Sequence, residues 1–453
     1  MTECNQTAFP FEAHFSRQVV ARFDGASMTT DGGAVLLRAV DGKIGLLKRV
    51  AVCFTDAREP ERVEHALAEL LAQRIYALAL GYEDLNDHEE LRRDPLLALL
   101  AGQRELEEPL AGKSTLNRLE LTPAGDPHSE RYHKITYSAE ALDALLVEIF
   151  LQAQVQPPQE IVLDLDVTDT PLHGEQEARF FHGYYGHYCY LPLYIFCEEH
   201  LLCARLRPSN QDASAGSVEE VERIVRQIRR HWPQVRIILR ADSAFCREEL
   251  MAWCEKHRVH YVFGLARNSR LRRKIARALR GAKQEHRSTG KAARVFTEFV
   301  YRTRKSWSGA RRVVAKAEYL EKGENPRFVV TSLDAQAWHA QKLYEQLYCA
   351  RGDMENRIKE QLSLFSDRLS TETLRANQLR LYFSSLAYVL LHALRRLALA
   401  GTEWATAQVE TIRLRLLKIA AEVRLTARRI WVRYSCSYPW KTLFAAAYAA
   451  LSG

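Results

Sequence analysis

The chain has 453 residues, too many for one ordinary hydrophobic core. Its 47% apolar and 26% charged residues suit a globular protein of two to four domains and exclude wholesale disorder. The net charge of +8 is uneven: Arg267 to Arg312 holds sixteen Lys or Arg against Glu285 and Glu298, a local +14 that leaves −6 for the rest. Such a segment points to a polyanion, nucleic acid being the usual one, with a solvated arm that has no partner as the alternative.

In chain order, the first forty-odd residues read as extended and turn-rich, with Asp24-Gly25 and Asp31-Gly32-Gly33 flanking short apolar runs. From Glu61 to about Leu119, Leu67, Leu70, Leu71, Ile75 and Leu78 recur at helical spacing; Asp94-Pro95 opens another helix, and Ser114 caps one running to Glu120. Near residue 160 the texture changes. Strands are expected over Ile161–Val167, Tyr184–Phe196 and Leu201–Leu206, then helix Ser217–Arg230, strand Val235–Ala241, helix Glu248–His257 and strand Val259–Leu265. Three strands, then helix, strand, helix, strand is the order of a ribonuclease H-like α/β core with a mixed five-stranded sheet. Strand-like runs at Val295–Arg304, Arg311–Tyr319 and Arg327–Ser332 follow the basic segment, and a long helix is expected from Ala335 to Phe365. The domains expected are therefore 1–155, extended then helical; 156–266, the first part of the core; 267–334, a basic β-rich insertion; 335–370, the rest of the core; and 371–453, a helical C-terminal region. The apolar stretch Leu381–Leu399 contains Arg395 and Arg396, so it reads as a buried helix and no membrane span is expected. The nine cysteines form no Cys-x-x-Cys pair, and free thiols suit a reducing cytoplasm.

Three constellations carry chemistry. Asp164 and Asp166 share one face of a strand, an arrangement costly in an apolar setting unless paired or metal-bound, though solvated acids at a strand end would look alike. Asp242 follows the strand Val235–Ala241, where α/β sites gather, but Asp-Ser there is also an ordinary helix cap. Tyr348, Arg351, Glu355 and Lys359 fall on one stripe of a helix, which exposed ion pairing would also explain. Gly112-Lys113-Ser114-Thr115 ends like a phosphate loop but has Glu107 where the first glycine belongs, and His88-Glu89 lacks a second histidine. His173, His182 and His187 fit no standard zinc spacing and read as loop or packing residues.

Taken together, Asp166-x-Thr168, Asp242 and Tyr348-x-x-Arg351-x-x-x-Glu355 resemble the signature of bacterial insertion-sequence DDE transposases. Further stretches resemble the insertion sequence 1380 family: Asp164 to Asp169, Pro171 to Gln176, Phe181-His182-Gly183-Tyr184-Tyr185, Leu191-Pro192-Leu193, Gly81 to Asp84, Leu91 to Pro95 and Ser114 to Arg118. The likeness spans about residues 8 to 440. Related transposases often carry a lysine where this chain has Leu362, whereas Lys359 comes sooner, and Asp164 is an alternative to Asp166 as first acid. The resemblance implies that Asp166, Asp242 and Glu355 are catalytic and hold two Mg²⁺ ions, with Mn²⁺ as a substitute, to clamp a scissile phosphate. Tyr348, Arg351 and Lys359 would lie along the DNA backbone. So would Arg272, Arg273, Lys274, Lys305, Arg311 and Arg312 of the insertion, with Trp307 stacking on an unpaired base or packing in a core. The implied protein binds double-stranded DNA, namely its element's terminal inverted repeats and target DNA, as a dimer or larger homo-oligomer in the bacterial cytoplasm, associated with the nucleoid. Alternatives are a ribonuclease H-fold nuclease without strand transfer and a non-catalytic, transposase-derived DNA-binding protein.

Overall fold

The computed structural model describes residues 8–453. Two compact units emerge: one of Val52–Ala57 and Glu120–His392, the other of the described residues up to Ala51 with Arg58–Leu119 and Ala393–Gly453.

A mixed nine-stranded sheet organises the larger unit. Its elements begin with α1 (Ala139–Ala153), β1 (Glu160–Val167), β2 (Leu193–Cys197), β3 (His200–Arg205), α2 (Ser217–His231), β4 (Arg236–Ala241), α3 (Glu248–Lys256) and β5 (His260–Leu265). Then come α4 (Ala276–Thr289), β6 (Ala293–Tyr301), β7 (Arg311–Leu320), β8 (Gly323–Glu324), β9 (Arg327–Thr331), α5 (Gly352–Ser363) and α6 (Leu374–Leu394). The strand order is β3-β2-β1-β4-β5-β9-β7-β6, with β8 beside β7. β1 to β3 pair antiparallel, β1-β4-β5 run parallel, and the remainder are antiparallel.

Strand alternation gives the sheet two different faces. Leu163 and Leu165 of β1, with Ile237 and Leu239 of β4, join a core that includes Phe150 of α1, Val221 and Ile224 of α2 and Leu250 of α3. Their neighbours point the other way, where Ile238, Val262, Val314 and Val329 pack on Leu343, Tyr344 and Leu347. Asp164 and Asp166 lie on this second face by parity. At the first face's edge, buried Asp143 of α1 accepts from Arg205 of β3 at 2.6 Å and from the Tyr382 hydroxyl of α6 at 2.7 Å, tying three elements together.

Several elements differ from the sequence expectations. Five core strands were expected and nine form one sheet, because β9 pairs with β5 and so joins the supposed insertion to the core. Much of the basic segment is helical: Ser269–Lys274, capped by the Asn268 side chain at the amides of Arg270 and Leu271, precedes α4. The run Tyr184–Phe196 breaks before Pro192, which has no N–H for a ladder. Its first part enters a small sheet of Thr170–Pro171, Phe180–His182 and His187–Tyr190. The single helix over Ala335–Phe365 is instead Ala340–Lys342, a π-helical turn over Leu343–Tyr348, a 3-10 turn over Cys349–Arg351, and α5.

In the smaller unit, Leu67–Leu80 is buried along nearly its whole length, and Asp94 caps Pro95–Ala101 by accepting from the amides of Leu96 and Leu97. The next helix begins at Lys113, one residue before the expected cap. Residues Val35–Ile44 form a helix where extended chain was expected, after a turn in which a Cβ on Gly33 would lie 1.8 Å from the Leu416 carbonyl oxygen. The C-terminal region was expected to be helical throughout but contains the hairpin Ala421–Thr426/Arg429–Tyr434, paired to Met28–Thr29. No helix among the described residues is long and apolar enough to cross a membrane.

Candidate active site

Two aspartates stand at the carboxyl ends of neighbouring parallel strands. The β1–β4 register pairs Asp164 with Arg240 and Leu165 with Ala241. Asp242 continues in extended backbone, so the next step of that register sets it beside Asp166, at the ~4.8 Å separation of adjacent strands. Each carboxylate is fixed by a local amide: Val167 N–H donates to Asp166 Oδ1 at 2.9 Å, and Ala244 N–H to Asp242 Oδ1 at 2.8 Å.

The segment before α5 adds the remaining charges. Arg351 Nη1 donates to Asp166 Oδ2 at 3.0 Å, while Nη2 lies 3.6 Å from Glu355 Oε1 one turn further on. Burial pushes the Asp166 carboxyl up to about 6 against the pull of Arg351, and the charges of Asp242 and Glu355 add to the rise. For Arg351 itself burial acts downward, but Asp166, Tyr348, Asp242 and Glu355 outweigh it and hold the guanidinium above its ordinary value. Burial also raises the Tyr348 phenol, with Arg351 opposing and Asp242 assisting. Asp166, Asp242, Glu355 and Tyr348 are thus all within electrostatic reach of Arg351. Lys359 is exposed on α5 one turn past Glu355.

Asp164, the alternative first acid, is engaged elsewhere. Arg240 grips it with Nε at 2.6 Å and Nη2 at 2.7 Å, and its Nη1 donates to the Leu347 carbonyl oxygen at 2.7 Å. All three groups lie one step behind candidate site residues: Asp164 two residues before Asp166, Arg240 two before Asp242, Leu347 one before Tyr348. The carbonyl that Arg240 captures lies in the π-helical turn, where ordinary α-helical bonding has been given up. This clamp joins β1, β4 and the Glu355-bearing segment. Sequence reasoning missed Arg240, although Asp164-x-Asp166 and Arg240-x-Asp242 have the same spacing on two strands.

Gly264 near the end of β5 was also missed. A Cβ there would sit 2.6 Å from the Tyr348 hydroxyl oxygen and 2.9 Å from Ser243 N, so only glycine admits both at this distance. Tyr185 lies in the hairpin turn between Phe180–His182 and His187–Tyr190, its ring near those of His182 and His187. Burial and the charges of Asp169 and Asp166 push its phenol up to about 12. His187 Nε2 sits 2.8 Å from Asp169 Oδ2, three residues beyond Asp166.

The basic segment is less available than its charge suggested. Trp307 is only 5% exposed and packs on Tyr301 and Arg311, which places it in a core rather than on a stacking surface. Arg311 is buried between Glu248 and Glu255 at 2.7 and 2.6 Å. Arg312 bonds Glu298 and the carbonyls of Leu333 and Trp338, and Arg272 pairs with Glu324 at 2.6 Å. Lys274 lies over the Phe299 ring, whereas Arg273 and Lys305 face solvent.

The donor set suits a hard divalent cation in kind, with two carboxylates side by side and a third one Arg351 away. Among the described residues no group of three His, Cys, Asp or Glu side chains is already gathered as a metal-holding cluster. The Arg351 guanidinium occupies the space between Asp166 and Glu355, so a shared cation requires Arg351 to release Asp166 and Glu355 to turn inward. His173, His182 and His187 form no such cluster either.

The chain matches the family described as "Transposase DDE domain group 1" over residues 11–453. No curated protein matches it. Among solved structures, a piggyBac transposase synaptic complex with hairpin DNA aligns at 11% identity and a TM-score of 0.42, over 86% of this chain and 81% of that one.

Proposed function

The chain belongs to the Transposase DDE domain group 1 family, and from that premise we propose that it cuts DNA at the ends of its own insertion sequence and joins the 3′-hydroxyl ends to target DNA. The observation that carries this reading is that Arg351 bonds Asp166 and lies 3.6 Å from Glu355, with Asp242 at the end of the strand next to that of Asp166. The strand order β3-β2-β1-β4-β5 supports a ribonuclease H-like core, and the motif likeness supports a bacterial source of the insertion sequence 1380 type.

Asp166, Asp242 and Glu355 are the residues that would hold two Mg²⁺ ions, which when bound supply activation of water or a 3′-hydroxyl and stabilisation of the leaving oxygen. Arg351 is poised to leave Asp166 for a phosphate oxygen, because its planar fork matches either acceptor. Tyr348 borders the same phosphate path, and Lys359, Arg273 and Lys305 offer exposed cations to the backbone. The Arg240 clamp fixes the spacing of the acid-bearing elements and so keeps the reacting groups in line. The partner is double-stranded DNA, and a homo-oligomer assembled on two DNA ends suits the joining step.

Labelled element ends incubated with plasmid and Mg²⁺ distinguish the reading from its rival. Joined products are expected; cleaved ends without joining would make the protein a nuclease of the same fold. If excision in cells is undiminished by Asp242→Ala, catalysis by these acids fails as an explanation.

A further inference from the structure

One motif remains unused by this chemistry, the aromatic run from Phe180 to Tyr188. Its two strands pair Phe180 with Cys189, Phe181 with Tyr188 and His182 with His187. Gly186 closes the turn in the left-handed region, its N–H donating to the His182 carbonyl at 2.8 Å. The base is tied down: Ser209 Oγ donates to the Phe180 carbonyl and Leu172 N–H to the Tyr188 carbonyl, both at 2.9 Å.

The rings nonetheless face water. Phe180 is 40% exposed, Phe181 58%, Tyr184 87% and Tyr188 44%. Only one other large aromatic in this unit, Tyr132, is comparably exposed among the described residues, so the rings are concentrated here rather than scattered. A cluster of exposed rings on a rigid base marks a contact surface, since single exposed apolar residues need no explanation but a patch does. The rings are already set edge to face, Phe181 against Tyr188 and Tyr184 against Tyr185, and the Arg179 guanidinium lies 4.7 Å from the Tyr188 ring centre.

Composition indicates what the surface takes. From His173 to Tyr190 the sole aliphatic side chain is Ala178. Exposed rings with a guanidinium beside them offer faces on which flat, π-faced ligands stack. Location indicates which ligand, because the hairpin is anchored through His187 to Asp169, three residues beyond Asp166, and its second strand pairs with Thr170–Pro171. We propose that the hairpin Phe180–Tyr188 is a stacking platform for unpaired bases of the DNA strand that passes Asp166. This rests on DNA being the substrate of the adjacent acids. It requires local unpairing of the duplex, since a base inside the stack presents no free face.

Binding is measured with the full chain in EDTA, so that no cleavage intervenes. Three fluorescent probes are used: a single-stranded oligothymidine, a fully paired duplex, and that duplex with a short unpaired bubble. Phe181→Ala and Tyr184→Ala, both at exposed positions, are each expected to weaken bubble and single-strand binding roughly 10-fold while duplex affinity stays within about twofold. Tyr184→Phe is expected to retain the preference, because the ring does the stacking. A 2-aminopurine in the bubble should be quenched by the wild type and recover its emission with the alanine variants. Equal losses on all three probes, or no loss, overturn the proposal. A changed oligomeric state on size exclusion overturns it in favour of contact between copies. The outcome is separable from the reading beneath it: cleavage unaffected by Asp242→Asn sinks the transposase chemistry, whereas bubble preference unaffected by the ring variants sinks only the platform.

Discussion

The acid-bearing strand ends and the basic segment Arg267–Arg312 are both concentrations of charge, and they are built in opposite ways. Asp166 and Asp242 stand at the ends of neighbouring parallel strands, and Arg351 bonds Asp166 and lies 3.6 Å from Glu355. In the basic segment, arginines find glutamates instead: Arg311 pairs with Glu248 and Glu255, Arg294 with Glu318, Arg272 with Glu324. A local +14 therefore overstates the charge free to meet a polyanion, whereas a few acids of modest total charge create a demanding electrostatic site. Linear counts of charge indicate a partner only where the opposing charges are not already within reach.

The largest effect expected to sharpen this contrast is on catalysis. Asp242→Ala should lower cleavage of labelled DNA ends about a thousandfold, the equivalent of ~4 kcal/mol of transition-state stabilisation, with DNA affinity in EDTA little changed. Cleavage at a wild-type rate would contradict the assignment.

Next comes the clamp. Arg240→Met leaves Asp164 buried without its partner and is expected to destabilise the fold by about 3–5 kcal/mol in denaturant unfolding. The double variant Asp164→Leu/Arg240→Met should recover most of that stability while cleavage stays low, because the acid-bearing elements are no longer fixed to each other. Full recovery of both would reduce the clamp to ordinary packing. Within the basic segment, Arg311→Ala should cost about 2–4 kcal/mol of stability, whereas Lys305→Ala should leave stability unchanged and weaken DNA binding modestly. The reverse pattern would break the comparison between the two regions.

A smaller effect lies in pH. Between roughly pH 4 and 6 the folded protein keeps a proton on Asp166 that the unfolded chain has released, so this group's contribution to stability falls as pH rises through that window and is flat above it. In metal-free buffer, Asp166→Asn should remove this slope and at pH 7 change stability by on the order of 1–3 kcal/mol, reduced by the lost Arg351 contact. Unfolding curves for the pair at several pH values test this; an unchanged slope contradicts it.

Much of this site was legible in the sequence because its residues announce themselves by spacing. Asp166 and Asp242 sit at the ends of apolar strands, and Arg351 and Glu355 are one helical turn apart. What escaped was whatever depended on neighbours distant in the chain. Arg240 has meaning only once β1 and β4 are in register, and Gly264 only once Tyr348 lies against it. The core order was readable, but the sheet's extent was not, because pairing of β9 with β5 depends on long-range contact rather than local pattern. The C-terminal hairpin was overlooked although Ala421 to Thr426 alternates apolar and polar residues as a strand should, because the surrounding region was expected to be helical.

Three carboxylates are proposed to share divalent cations once Arg351 moves to DNA. Mn²⁺ titration of the protein bound to a DNA duplex, followed by electron paramagnetic resonance, tests this directly. Asp166→Asn, Asp242→Asn and Glu355→Gln should each weaken Mn²⁺ binding by about tenfold or more, since each would remove a ligand to a shared ion. Wild-type Mn²⁺ affinity in any one of the three, with the fold intact, would contradict the account.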